Sequence, residues 1–354
     1  MSIFQEKINK QEIGIWRYVG FYNDFVKSEN RLYLEDGNLE KLENEDLNKI
    51  SKIKHLYFQR EDENETGSLK GRSLAYQVSL AKQNGIKELV ISTSGNAGIA
   101  AAAYCQEAEI KLYIFISPET EKAKIAKMQK YNPIIIESKK AIRLANYLSA
   151  RYKIENLRPS LNDSSIEGFK SIAFEIFEKL GEIDALFTFV TSGSSFVGIG
   201  RAYQHLLDCD KIKKMPKLFA VQSGEISSIA GDFEKITKQK DSVAGRLGVK
   251  NTRRKKEILE FIKLSGGSGI YINNQELQEA TQILEGNKII TSQEGCASFA
   301  ASLREGKKYN LNKVVCVLSG KSRDRNNQVT KDKIKIAESF NDVDNIIIGK
   351  FNYC

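Results

Sequence analysis

Histidine is nearly absent: the chain has two, His55 and His205. A histidine-based triad or metal site therefore lacks members, and each histidine is read as a surface or locally bonded residue. The five cysteines, Cys105, Cys209, Cys296, Cys316 and Cys354, are odd in number and widely spaced. No CxxC pair or Cys/His ligand pattern occurs, which argues against a disulfide framework or a zinc site and for reduced thiols. Four prolines and no low-complexity run argue against long disordered linkers. No apolar stretch approaches the ~20 residues needed to span a bilayer. The start, Met1-Ser2-Ile3-Phe4-Gln5-Glu6-Lys7, lacks a basic-then-apolar signal pattern. The expectation is a soluble, cytoplasmic protein.

What is present is an ordinary globular composition. At about 150 residues per domain, 354 residues suggest two domains. A hydrophobic fraction of 41% supplies a substantial core. The net charge is +9. Its positive runs, such as Arg253-Arg254-Lys255-Lys256 and Lys331-Asp332-Lys333, are short, mixed with acids and free of interleaved aromatics. They read as a solvated face with mild attraction for anionic substrates, and nucleic-acid binding ranks last.

The hydrophobic pattern is α/β. The acidic run Leu39–Asn48 is helix-like, and the alternating segment 53–60 is β-rich. Helices are expected over roughly 71–83, 97–106, 121–131 and 139–152, with strands at 88–92, 111–116 and 134–136. A second α/β set follows. It has a helix whose apolar residues Ile166, Phe169, Ile172, Ala173, Ile176, Phe177 and Leu180 share one face. Strands are expected at 185–190, 218–222 and 314–318, and helices at 197–207, 275–284 and 297–304. Strands alternating with helices imply parallel pairing, since a parallel crossover needs a dozen residues or more. A cleft between the two sets would gather strand C-termini and helix N-termini around a ligand.

Four stretches carry chemistry. In Glu65-Thr66-Gly67-Ser68-Leu69-Lys70-Gly71-Arg72-Ser73, Lys70 stands between a Gly-Ser turn and a helix-like run. Desolvation at a helix start would lower its pKa and free its lone pair for a Schiff base. Ser92-Thr93-Ser94-Gly95-Asn96-Ala97-Gly98 and Thr191-Ser192-Gly193-Ser194-Ser195 each join a strand to a helix. Backbone N–H groups at such turns, aided by the helix dipole, make an anion cradle. The second turn carries neither Gly-Lys-Ser/Thr nor G-x-G-x-x-G. Asn96 is either a helix cap or a partner for a cofactor's phenolic oxygen. Ser319, in Leu318-Ser319-Gly320, is either a cap or the partner of a pyridine nitrogen, which a neutral hydroxyl would leave unprotonated.

In order and spacing, these stretches resemble fold type II (the β-family) of pyridoxal-phosphate-dependent enzymes, and above all the threonine synthase family. The likeness covers nearly the whole chain. Trp16-Arg17-Tyr18 resembles the family's early Trp-Arg-Tyr, and Leu34-Glu35-Asp36-Gly37-Asn38 its Gly-Glu-Gly-Asn-Thr. Thr66-Gly67-Ser68-Leu69-Lys70 resembles Thr-Gly-Ser-Phe-Lys, and Ser94-Gly95-Asn96-Ala97 the Ser-Gly-Asn loop. Glu167-Gly168-Phe169-Lys170-Ser171 resembles Glu-Gly-Gln-Lys-Thr, and Ala220-Val221-Gln222-Ser223 the strand after the phosphate loop. Glu294-Gly295-Cys296-Ala297-Ser298 resembles Glu-Pro-Ala-Ser-Ala, and Val317-Leu318-Ser319-Gly320 the final Leu-Thr-Gly.

The resemblance implies a two-domain α/β enzyme, each domain a mostly parallel sheet flanked by helices, with pyridoxal 5'-phosphate in the interdomain cleft. Residues 1–55 and 155–354 would form the large cofactor-binding domain, and 56–154 a smaller domain carrying Lys70 and the Ser-Gly-Asn loop. Lys70 would be catalytic and carry the cofactor, whose other contacts would be Asn96, Ser192, Gly193, Ser194, Ser195 and Ser319. Ser94, Ser160 and Lys170 would contact the substrate, and no metal is expected. The implied reaction converts O-phospho-L-homoserine and water into L-threonine and phosphate. A homodimer is implied because dimers are common in the family.

The sequence also departs from the pattern. Gly71 and Ser73 replace the usual aspartate and glycine, Glu65 a common proline, and Thr191 and Ser194 frequent glycines. An arginine expected at about Ser165, to clamp substrate phosphate, is missing. Two alternatives stay open. One is another fold type II β-elimination or β-replacement enzyme acting on serine, O-phosphoserine or O-acetylserine. The other is a non-catalytic pyridoxal-phosphate-binding partner protein.

Overall fold

The computed structural model describes residues 8–37, 41–93, 95–224, 227–236, 252–322, 330 and 334–349, with backbone alone at 41 and 42. It has the expected α/β class and divides into two compact units. The first comprises the described residues within Met1–Asn23, Glu35–Leu69 and Ile166–Ser322; the second, those within Asp24–Leu34, Lys70–Ser165 and Arg323–Cys354.

The first unit is built on six strands, in the spatial order Lys41–Glu43, His55–Gln59, Lys313–Val317, Ala185–Phe189, Lys217–Ser223 and Ser268–Ile272. Only the pairing of Lys41–Glu43 with His55–Gln59 is antiparallel; the others are parallel. Because His55–Gln59 pairs with Lys313–Val317 in register His55↔Lys313 to Gln59↔Val317, residues 56–69 belong to this unit. The second unit has five parallel strands, in the order Ile334–Ile336, Ile134–Glu137, Lys111–Ile116, Glu88–Ser92 and Glu155–Asn156.

The central strands of both sheets are parallel because they are apolar on both faces and are covered by helices. In the first unit Phe58, Phe187, Phe219, Val314, Cys316 and Phe299 form one buried cluster, with Phe187 stacked on Phe219 at a centroid distance of 4.4 Å. Each such side chain contributes roughly 1.5–3 kcal/mol by leaving water. In the second unit Val90, Tyr113, Phe115 and Ile136 pack under Leu144, Leu148, Val343 and Ile347. Ile347 and Val343 lie on a helix, Phe340–Ile348, that the sequence pattern did not reveal. The acidic run expected to be helix-like from Leu39 is instead a strand, Lys41–Glu43, followed by a helix, Glu45–Ser51. Asn44 sets that boundary: its side chain accepts from the N–H groups of Asp46 and Leu47 and caps the helix.

The Trp-Arg-Tyr motif has a structural role in the first unit. Trp16 is buried. Arg17 Nε donates to Glu178 Oε2 at 2.8 Å, a second guanidinium nitrogen pairs with Oε1, and the Tyr18 hydroxyl donates to Oε2 at 2.8 Å. Burial pushes the Glu178 carboxyl up, but the hydrogen bonds from Arg17 and Tyr18 outweigh it and hold it below its ordinary value. This contribution is fully present above the usual carboxylate range and is lost as pH falls through the lowered pKa. Arg17→Ala is expected to cost about 1 kcal/mol at neutral pH, with activity retained. Denaturant titrations of variant and wild type should converge in acid; a gap that persists below the titration of Glu178 would refute the ion-pair account.

Candidate active site

Parallel pairing places the C-terminal ends of His55–Gln59, Lys313–Val317 and Ala185–Phe189 side by side. The first end leads into the Arg60–Leu69 loop, the second into Leu318-Ser319-Gly320, and the third into the turn at 191–195. Strand order therefore gathers stretches as far apart in sequence as Arg60 and Gly320 on one edge of one sheet, where α/β proteins bind ligands.

The loop before Lys70 is held rigidly. Gln59 Nε2 and Asn64 Nδ2 donate to the two carboxylate oxygens of the buried Glu61, at 2.9 and 2.7 Å. Asn64 Oδ1 accepts from Gly37 N–H at 2.8 Å, and the Thr66 hydroxyl donates to Asp36 at 2.8 Å. The Asp36-Gly37 motif thus braces the lysine loop. Arg60 grips the Asp62 carboxylate through two nitrogens at 2.9 and 3.0 Å, yet burial holds Asp62 above its ordinary value. Asp62 N–H donates to Leu318 O at 2.9 Å, Leu69 N–H to Ser319 O at 3.1 Å and Lys321 N–H to Gly67 O at 2.9 Å. Ser68 and Gly320 form an antiparallel bridge. Gly67 has φ +78°, a conformation that favours glycine. Ser319, half-buried, is thereby fixed against the segment that ends at Lys70.

Helix Ser194–Asp208 begins at the Gly193 turn. Its first internal bond runs from Val197 N–H to Gly193 O at 2.9 Å, so the N–H groups of Ser194, Ser195 and Phe196 lie in the turn that a helix leaves unbonded internally. Gly193 has no side chain to cap this end, and no acid stands in the first turn. Ser194 and Ser195 are buried, and Ser192 is half-buried. These donors, at the positive end of a 15-residue helix, fit a phosphate group. Gly193 has φ +85°, and a Cβ there would lie 2.3 Å from Ile258 Cδ1.

Helix Lys255–Ser265, absent from the sequence pattern, covers this turn. Thr252 donates its hydroxyl to Ser192 O at 2.5 Å, and Arg254 Nε donates to Ser194 Oγ at 3.2 Å. Arg254 is only 8% exposed. The run Arg253-Arg254-Lys255-Lys256, read as a solvated face, is therefore corrected at Arg254. The alternation of buried Thr252, exposed Arg253 and buried Arg254 hides one cation and leaves its neighbours near solvent.

In the second unit Lys70 opens helix Lys70–Gln83 and is half-buried. Residues 71–79 are all buried. The unusual Ser73 donates to Ser165 O at 2.8 Å and accepts from Gln77 Nε2 at 3.0 Å. Ser165, where an arginine was expected, is buried and turns its hydroxyl to Pro159 O at 3.0 Å. Ser160 is half-buried in the adjoining turn, where Leu161 N–H bonds Arg158 O at 2.8 Å. Asn96 begins helix Asn96–Glu107 at the end of strand Glu88–Ser92, with its side chain half-buried. The buried Ser92 hydroxyl just before this loop has no hydrogen-bond partner among the described residues. Ser94 lies outside the described residues, as do Asn38, Cys354 and Lys331-Asp332-Lys333.

Lys170, in the first unit, is buried and paired with Glu167 at 2.8 Å; Glu167 also accepts Asn23 N–H at 2.8 Å. His205 lines one cavity with Lys170 and Asn23, whereas His55 stands at the start of its strand. His55 bonds Glu43 at 3.0 Å, and His205 packs edge-on against Phe21 and Phe174.

A threonine synthase of Methanocaldococcus jannaschii is 27% identical over 95% of this chain and 87% of its own length. One of Halalkalibacterium halodurans is 26% identical over 82% of this chain and 83% of its own. Among solved structures, maize serine racemase superposes with a TM-score of 0.70 at 17% identity, covering 81% of this chain and 88% of that one. The family model described as "Pyridoxal-phosphate dependent enzyme" matches residues 35–320. With that match spanning the lysine loop, the helix-start turn and Ser319, the chain belongs to the pyridoxal-phosphate dependent enzyme family.

Proposed function

We propose that this enzyme is a threonine synthase, converting O-phospho-L-homoserine and water into L-threonine and phosphate. The observation that carries the reading is the convergence of the lysine loop, Ser319 and the helix-start turn on one sheet edge. The supporting likeness is to relatives named threonine synthase over most of their length. Lys70, Asn96, Ser192, Gly193, Ser194, Ser195 and Ser319 hold the cofactor in this reading. When bound, pyridoxal phosphate supplies an electron sink for negative charge developing beside the substrate's α-carbon.

The chain's own residues do the rest. The amine of Lys70 takes and returns protons at the substrate carbons. Helix-start N–H groups and the hydroxyls of Ser194 and Ser195 hold the cofactor's phosphate. Ser319 meets the ring nitrogen with a neutral hydroxyl and leaves it uncharged. Asn96 donates to the ring oxygen. Ser94, Ser160 and Lys170 are the proposed substrate contacts, Lys170 as an ammonium already balanced by Glu167. A cytoplasmic homodimer is the proposed setting; among the described residues no helix is long and apolar enough to cross a membrane.

One observation favours a second reading. With Ser165 turned into its own turn rather than outward, the chain lacks the expected clamp for substrate phosphate. Serine and O-acetylserine carry no phosphate and need no such clamp, and O-phosphoserine carries its phosphate one carbon nearer the amino acid than O-phospho-L-homoserine does. The test is a comparison of kcat/KM for O-phospho-L-homoserine with those three amino acids, with phosphate and threonine both quantified. Equal release of phosphate and threonine is expected from the first. A larger kcat/KM on a serine derivative would replace the proposal, and no product from any of the four would favour a non-catalytic partner protein.

A further inference from the structure

Three successive residues of the helix-start turn are each met by the segment that opens helix Lys255–Ser265. Thr252 bonds the Ser192 carbonyl, Ile258 fills the space a side chain at Gly193 would need, and Arg254 bonds the Ser194 hydroxyl. The third contact brings a permanent cation, nine-tenths buried, to the positive end of a 15-residue helix. A phosphate dianion at the turn is attracted both by that charge and by the positive end of the helix. It also accepts from serine hydroxyls that a neighbouring guanidinium polarises.

We infer that Arg254 is a positioning residue of the cofactor's phosphate site, holding the turn through Ser194 and placing its charge beside the phosphate. The inference rests on the assignment of Gly193–Ser195 to that phosphate. It explains why position 194 is a serine: the hydroxyl gives the guanidinium a handle on the turn. It also separates this residue from a clamp on the substrate's own phosphate, since Ser194 is fully buried within the turn.

The experiment titrates cofactor-free wild type, Arg254→Gln, Arg254→Lys and Ser194→Gly with pyridoxal phosphate and with pyridoxal, by absorbance. Pyridoxal lacks the phosphate, so the ratio of the two affinities isolates the phosphate's share. Wild type is expected to prefer pyridoxal phosphate strongly. Arg254→Gln should weaken pyridoxal phosphate by roughly 10- to 100-fold, the range for a lost charge-assisted bond, and leave pyridoxal unchanged. Arg254→Lys should fall between, and Ser194→Gly, which spares the cation, should also reduce the preference. Equal loss of both ligands in Arg254→Gln and Ser194→Gly would mark a merely structural contact and overturn the inference. So would an unchanged preference accompanied by a raised KM for O-phospho-L-homoserine, which would assign Arg254 to substrate. A wild type without preference would remove the phosphate assignment itself, and the inference with it.

Discussion

Lys70→Ala is expected to cut threonine formation by roughly ten-thousand-fold or more, the scale at which loss of a central proton-transferring group leaves only residual catalysis. The fold should survive. Lys70 is the first residue of its helix and half-buried, and alanine favours helix, so thermal unfolding of the cofactor-free proteins should differ little. The braced loop before it does not depend on the lysine: its bonds run among Gln59, Glu61, Asn64, Thr66 and Asp36. The variant should therefore separate chemistry from architecture. Turnover within tenfold of wild type, measured as threonine released from O-phospho-L-homoserine, would remove Lys70 from the reaction.

Gly193→Ala should be nearly as damaging, for a steric reason. Its φ of +85° costs an L-residue about 1–2 kcal/mol, and the new methyl would stand 2.3 Å from Ile258 Cδ1, an overpacking worth roughly 1–3 kcal/mol more. The turn cannot relax freely, because Thr252 and Arg254 hold its neighbours on both sides. We expect destabilisation of about 2–5 kcal/mol, summing those two ranges. Affinity for pyridoxal phosphate should fall at least 100-fold as the helix-start N–H groups shift. In Gly193→Ala/Ile258→Ala the clash is gone but the backbone strain is not, so affinity should recover in part. Full affinity in the single variant, measured by cofactor titration beside denaturant unfolding, would show that the turn does not hold the phosphate.

Sequence patterns located the longer central strands, which are apolar on both faces, but not Ser268–Ile272 or the short strands Lys41–Glu43, Glu155–Asn156 and Ile334–Ile336. Glu88–Ser92 and Lys111–Ile116 match the expected ranges residue for residue. Two helix starts, Ser194 and Gln293, were read three or four residues too late. Ser194 and Ser195 look like turn residues, yet they form the first turn of Ser194–Asp208, where hydroxyl side chains do not oppose helical backbone. Helix Lys255–Ser265 escaped notice because its buried apolar residues, Ile258 and Ile262, are few and follow a run of cations. The loops that lead to Lys70, Asn96 and Ser319 were legible as connections following strands, because each carries a local motif. Arg254 was not, because its partner Ser194 is 60 residues away and only the pairing of strands brings such segments together. The buried bracing by Glu61 and Asn64 was invisible for a related reason: burial of a carboxylate is a tertiary fact that no spacing announces.

The central claim is that the loop braced against Ser319 presents Lys70 to pyridoxal phosphate. The most direct measurement is borohydride reduction of the cofactor-loaded protein, followed by peptide mass spectrometry. The account predicts a single phosphopyridoxyl label, on Lys70. A label on another lysine, such as Lys170 or Lys321, or no label on a protein that binds the cofactor, would contradict it.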